Sequence, residues 1–278
     1  MPAGLEARLG ALAGAARGPR YEILALRYGT CMTSRARCFV GHERRGEVDS
    51  ALRMDFFLWV LRDGRRTIVI DTGFRPEAAA RRGRTCLEAP ASMLLRAGVR
   101  PDEVGDLVLT HLHYDHTGNI GLFSRATVHV HTRELGFWTG PLAMRGEFAA
   151  LVEPADLQAL QAASEAGRVH PIEDDGQLAP GARALWTGGH TPGQMIVAAR
   201  GRESLVVIAS DAAHFYEELE RDVPFAIFSD LPELYAGYDL LAALERRGAT
   251  IVAGHDPRVL ERFPPLDGFP LEQAAVVG

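Results

Sequence analysis

Four short apolar runs in this chain end in histidine or aspartate: VLTHLHYDH at 108–116, TGGH at 187–190, VVIASD at 206–211 and IVAGH at 251–255. No other feature restricts the fold as much. Buried strands carrying polar residues at their carboxyl ends are how an α/β scaffold builds a site along one edge. An unpartnered polar group at such a position costs several kcal/mol, so each needs a reason. His111, His113, Asp115 and His116 fall within six positions. They would repel, or stay half-solvated, unless something positive sat among them. With His190, Asp211 and His255 they make five imidazoles and two carboxylates. Nitrogen and oxygen donors of this borderline hardness suit zinc. Seven ligands are too many for one tetrahedral ion and fit two ions that share a carboxylate.

The rest of the chain alternates between strand and helix patterns. YEILALRYGT (21–30), DFFLWVL, RTIVIDTG, DLVLTH (106–111) and ATVHVHT (126–132) are short runs rich in branched and aromatic residues, bounded by turn-formers, and read as strands. Asp63-Gly64 marks a hairpin. The polar stretch 41–54 reads as a long loop with a functional role. Residues 76–83 and 89–99 read as helices, as does most of 133–168 with a Gly-Pro break at 140–141. In the second half 182–193, 194–200, 205–211 and 250–256 read as strands. Residues 231–248 form the clearest helix, ending in Gly248. Strands followed by mixed helices and strands, repeated once, suit a sheet-on-sheet core with helices outside. No linker or low-complexity tract divides the chain. We expect an N-terminal arm at 1–20, loosely helical or flexible, and a single domain at 21–278.

Composition narrows the function classes. A chain of 278 residues with 47% hydrophobic and 24% charged residues is that of a soluble protein with a sizeable core. A formal net charge of −6 argues against general binding to nucleic acid. No apolar stretch is long enough for a membrane span, and "ALAGAA" is too short for a signal peptide. Three cysteines without paired spacing suggest a reducing compartment, and the expected location is cytoplasmic. The expected partner is a small-molecule substrate, with the chain a monomer or homodimer.

The residues His111-Leu112-His113-Tyr114-Asp115-His116 match the HxHxDH signature of the metallo-β-lactamase fold superfamily, which the chain resembles over roughly residues 21–256. His190, Asp211 and His255 follow in the family's order within GGHTPG and GHD surroundings. The resemblance implies an α/β fold: an αββα sandwich of two mixed β-sheets packed face to face with helices outside. It further implies two zinc ions per chain, one held by His111, His113 and His190, the other by Asp115, His116 and His255, with Asp211 bridging them. Asp71, within TIVIDTG, either caps a turn or, as the family implies, orients a ligand histidine. The lactamases of the family use a cysteine ligand, and no cysteine here stands at a ligand position. The second HxH, His129 and His131, lacks following ligands and reads as structural; His42 and His170 read as solvated loop residues.

Two zinc ions close together lower the pKa of a shared water enough to supply hydroxide at neutral pH, which points to hydrolysis of an activated carbonyl or a phosphoester. Asp115 or Asp211 would pass the proton to the leaving group. The segment DAAHFYEELERDVPF after the last strand aspartate is similar to the N-acyl-homoserine lactonase branch, in which a tyrosine stands three residues after the bridging aspartate. His214 occupies that position here, with Tyr216 two residues on. Lactone opening is therefore the expected reaction, with His214 or, failing it, Tyr216 contacting the substrate. Phe137, Trp138, Met144 and Phe148 line a pocket or simply pack helices on the core. The alternative is a thioesterase similar to glyoxalase II, which uses the same seven ligands. Against it, the C-terminal region shows no basic cluster for a glutathione carboxylate.

Overall fold

Both faces of the longest strands are apolar, and that forces two packed sheets. The computed structural model describes residues 6, 8–10, 12 and 18–278. Its strands are β1 (Glu22–Ser34), β2 (Ala51–Arg62), β3 (Thr67–Ile70), β4 (Thr85–Cys86), β5 (Asp106–Val108), β6 (Thr127–His131), β7 (Val169–Ile172), β8 (Gly176–Ala179), β9 (Ala182–Trp186), β10 (Met195–Arg200), β11 (Leu205–Ser210), β12 (Thr250–Ala253) and β13 (Ala274–Val276). One sheet has eight strands in the order β13-β1-β2-β3-β5-β6-β7, with β4 paired to β1. The other has five, in the order β12-β11-β10-β9-β8. Each sheet mixes parallel and antiparallel pairs: β3, β5, β6 and β7 run parallel in the first, β11 and β12 in the second.

Side chains alternate along each strand, so one residue parity fills the space between the sheets and the other faces outward. Ile23, Phe57, Trp59 and Ile70 from the first sheet meet Ala184, Val197, Ile208 and Val252 from the second. Leu24, Leu58 and Val60, one residue out of phase, pack outward under the helices at Pro90–Arg96 and Pro154–Glu165. On the second sheet Ile196 and Val207 face the helix Leu231–Arg246 through Leu240, Leu241 and Leu244. The four layers are helices, sheet, sheet, helices, and the fold is the expected αββα sandwich. No helix among the described residues is long and apolar enough to cross a membrane. The expected N-terminal arm lies largely outside the described residues, although Leu9 and Leu12 are buried with Leu185, Ile196 and Leu244.

Several local expectations are corrected. The loop at 41–54 is shorter, because β2 begins at Ala51 and pairs with Ser34 at the end of β1. Residues 187–193 form a loop, since β9 stops at Trp186. The short strands β4, β7, β8 and β13 were not expected at all. His42 is buried, 3% exposed, while His170 is exposed as expected but sits in β7 and not in a loop.

Candidate metal centre

The carboxyl ends of β5 in one sheet and of β9, β11 and β12 in the other meet at one edge of the sandwich. The backbone N–H of Met195 donates to the Thr110 carbonyl at 2.9 Å, joining the sheets there. Two groups of side chains converge. His111, His113, His190 and Asp211 form one; Asp115, His116 and His255 form the other, and within each group the donor atoms lie within 4.8 Å of one another. All seven are buried.

Asp211 faces both groups, one oxygen to each. Its Oδ2 lies 3.7 Å from His111 Nε2 and 3.4 Å from His190 Nε2. Its Oδ1 lies 3.2 Å from His116 Nε2 and 3.0 Å from His255 Nε2. Asp115 closes the second group, its Oδ2 3.8 Å from His116 Nε2.

What aims these nitrogens inward is a set of contacts behind them. Asp71 Oδ2 lies 2.7 Å from His116 Nδ1, so Nε2 is the atom offered to the group. The outer Nδ1 of His190 is 2.9 Å from the Ile227 carbonyl, and that of His255 is 2.8 Å from the Asp55 carbonyl. Asp71 also accepts from the Thr110 backbone N–H and hydroxyl at 2.8 Å each. Asp71 and Ser210, at the ends of β3 and β11, both hold positive φ, 59° and 46°. Such non-glycine conformations cost free energy and cluster at functional sites. Here the Thr110 hydroxyl bonds both of them, Ser210 Oγ at 2.9 Å.

A buried carboxylate absent from the expected set joins the two histidine loops. Glu134, fully buried, accepts from Leu112 N at 2.9 Å, Gly193 N at 2.8 Å and Trp138 Nε1 at 2.6 Å. Leu112 separates His111 from His113, and Gly193 closes the loop carrying His190. A Cβ on Gly193 would stand 2.4 Å from the Glu134 backbone nitrogen, so only glycine allows this approach. The sequence signal was weak: one glutamate in an unremarkable helix, Thr132–Trp138.

The donor set fits divalent metal. His111 Nε2 and His116 Nε2 are buried without any hydrogen-bond partner, and His190 Nε2 and His113 Nδ1 point at each other 3.0 Å apart. Imidazole nitrogens so placed suit a shared cation. Burial, with His116 next, pushes His111 well below the usual histidine range, and burial holds His190 down to about 3, both suited to neutral ligands. Burial disfavours the Asp211 carboxylate, but His255 and His116 outweigh it and keep the group ionised well below its usual value.

Beside the groups lies a cavity of about 420 Å³ bordered by His113, Asp115, His190, Asp211 and His214. His214 Nε2 is 3.0 Å from Asp211 Oδ2, and its ring stacks on Phe225 with centroids 3.7 Å apart. Its Nδ1 faces Glu218 Oε1 at 3.5 Å. Burial opposes charge on His214, yet Asp211 and Glu218 raise it to about 9. Tyr216, the expected substitute, does not border the cavity. It opens the helix Tyr216–Arg221, and its ring sits in the inter-sheet core with the Arg262 guanidinium 3.7 Å from its centroid. Met144 is 67% exposed and borders neither cavity, because the 3₁₀ turn Pro141–Met144 points it to solvent. Phe137, Trp138 and Phe148 line a small recess beside His113 and His190. Cys31 and Cys38 border the main cavity but belong to neither group. His129 bonds Asp106 of the neighbouring strand β5 at 2.9 Å, and His131 stacks on Trp186 of β9 across the two sheets, so both are taken up by packing.

Residues 57–255 match the sequence model of the metallo-beta-lactamase superfamily. The chain belongs to that superfamily. It is 25% identical over 245 residues to an N-acyl homoserine lactonase of Bacillus thuringiensis, covering 79% of this chain and 90% of the relative. With an N-acyl homoserine lactonase of Bacillus cereus it shares 26% identity over 174 residues, which spans 59% of this chain and only 61% of that protein. Among solved structures, a quorum-quenching N-acyl homoserine lactone lactonase superposes with TM-score 0.69 at 23% identity, covering 86% of this chain and 94% of that one. A dizinc quorum-quenching lactonase superposes with TM-score 0.69 at 19% identity, covering 87% and 89%. At these identities the structures share the superfamily fold, and the superfamily places this chain among metal-binding hydrolases.

Proposed function

We propose that the chain is a dinuclear zinc hydrolase that opens a lactone or similar cyclic ester. The observation that carries this reading is the Asp211 carboxylate, which sets one oxygen against each of the two ligand groups. Lactonase relatives support the choice of a cyclic ester. Bound zinc would supply hydroxide at neutral pH and polarise the scissile carbonyl.

The chain's own groups do the remaining work. His111, His113 and His190 would hold one ion, Asp115, His116 and His255 the other. Asp71 keeps the His116 proton on Nδ1, leaving Nε2 free to ligate. His214 borders the cavity with an N–H at Nε2 held beside Asp211, and we assign it the donor role toward the substrate carbonyl or the departing ring oxygen. The stack on Phe225 and the Glu218 contact fix its ring plane. Asp115, which borders the cavity, would take the proton of the attacking water on the carboxylate oxygen not used as a ligand and pass it to the leaving alkoxide.

The test combines metal analysis with a substrate panel of lactones (N-acyl homoserine lactones among them), thioesters and phosphodiesters, read by a pH indicator. Close to two zinc ions per chain and fastest turnover of lactones are expected. One ion or none in an active preparation removes the dinuclear reading. Thioester turnover without lactone turnover turns the assignment to a thioesterase.

A further inference from the structure

The cavity wall carries basic charge that the hydrolytic reading leaves unused. Arg37, Arg82 and Arg84 all border the cavity, whereas the carboxylates bordering it are Asp115 and Asp211, both within the ligand groups. The three arginines are engaged differently. Arg82 is held by Glu153 at 2.9 Å and by the Val152 carbonyl at 3.2 Å. Arg37 is exposed. Arg84 is partly buried, its Nε donates to the Tyr114 hydroxyl at 3.2 Å, and among the described residues it forms no ion pair.

Arg84 is also firmly placed. Its backbone N–H donates to the Ala79 carbonyl at 2.8 Å, and the next residue, Thr85, pairs with Thr30 of β1. The guanidinium carbon lies 5.9 Å from the centroid of the Phe56 ring, and that ring packs edge-on against His255 at 5.2 Å. Phe56 thus lies between the Arg84 guanidinium and His255 of the second ligand group, and among the described residues the two terminal nitrogens of Arg84 have no hydrogen-bond partner. The guanidinium is partly buried and has no counter-ion within ion-pair distance among the described residues. Its planar fork matches a carboxylate by two parallel hydrogen bonds.

We propose that Arg84, with Arg37 adding charge at the exposed side, docks a carboxylate carried by the substrate, so that the substrate class is an acidic lactone. The assignment rests on the lactonase reading above. Uncharged lactones, N-acyl homoserine lactones included, then rank below acidic ones of similar size.

A matched pair of γ-lactones tests it: γ-valerolactone, with a methyl group on the ring carbon beside the oxygen, and the same lactone with a carboxylate in place of that methyl. The zinc-loaded protein should favour the carboxylate by roughly tenfold or more in kcat/KM. Arg84→Gln should bring that ratio close to one, chiefly by raising KM for the acidic lactone, and Arg84→Lys should restore part of it. A ratio near one in the parent, or an unchanged ratio in Arg84→Gln, overturns the proposal. If no lactone is hydrolysed, the lactonase reading fails, and the carboxylate site is read separately by calorimetry with the two ring-opened acids. The dicarboxylate should then bind roughly tenfold tighter than the monocarboxylate and lose that margin in Arg84→Gln. Equal affinities in the parent overturn the carboxylate site as well.

Discussion

At the scale of single residues, the centre depends on Asp211 and His214 in separable ways. Asp211→Asn keeps the shape but removes the charge that both ligand groups face. It should lower zinc content from near two per chain to below one, measured by elemental analysis after dialysis. Retention of both ions with full activity would mean that the bridge is misassigned. His214→Ala leaves all seven ligand side chains in place and should cost on the order of 10²-fold in kcat, the scale for losing one positioned donor. His214→Tyr should recover part of that loss. An alanine variant with unchanged zinc content and kcat within about twofold of the parent would make His214 structural. The seven residues that the structure gathers into two groups were legible in the sequence because their chemistry is in the side chain itself. What holds them was less so. Ile227 and Asp55 act through backbone carbonyls, which any residue type supplies. Tyr216 was misjudged because spacing along the chain gives no direction once a helix starts there.

Among elements, the strands carried on a clear apolar run were legible, short ones such as β3 and β5 included, and β4, β7, β8 and β13 were not. β4 has two residues and β13 three, too few for periodicity to register, and pairing with β1 rather than propensity makes them strands. Loops were harder still, as 187–193 shows. That loop continues an apolar strand into Gly188-Gly189, and its position follows from contacts with the helix Thr132–Trp138 that only the folded chain makes. Glu134 is the centre of those contacts. Glu134→Gln retains the volume but sets an amide NH₂ against at least one of the three N–H donors from Leu112, Gly193 and Trp138. The result should be a loss of about 1–3 kcal/mol in stability from an unsatisfied buried donor. Because Leu112 and Gly193 belong to the two loops that carry His111, His113 and His190, zinc affinity should also fall by roughly 10- to 100-fold. Chemical denaturation and a competitive chelator titration measure the two effects. A stability loss with unchanged zinc affinity would confine Glu134 to packing.

For the molecule as a whole, the centre is also a joint between the sheets. His111, His113, Asp115 and His116 follow β5 in the eight-stranded sheet, while His190, Asp211 and His255 follow β9, β11 and β12 in the five-stranded one. Each of the two proposed ions draws ligands from both sheets, so zinc would add to the Met195–Thr110 hydrogen bond and to apolar contacts such as Trp59 with Val197 and Ile208 in tying the layers together. Anything that binds the folded state alone stabilises it, by about 2.7 kcal/mol for one site at a hundredfold excess over Kd. For a domain of this size each kcal/mol moves Tm by about 2–4 °C. Removing zinc with a strong chelator should therefore lower Tm by more than about 5 °C, and re-addition of zinc should restore it. The location of the loosening is the sharper measure. Amide hydrogen exchange should accelerate at 110–118, 187–193, 211–216 and 253–256, where the ligand loops lie. The mid-strand amides of β1 and β10 should change little, because their hydrogen bonds and apolar packing need no ion. Uniform acceleration across both sheets would mean that zinc holds the whole fold rather than the joint. An unchanged Tm and exchange pattern, with zinc shown to be gone, would mean that the seven side chains are held by the protein alone.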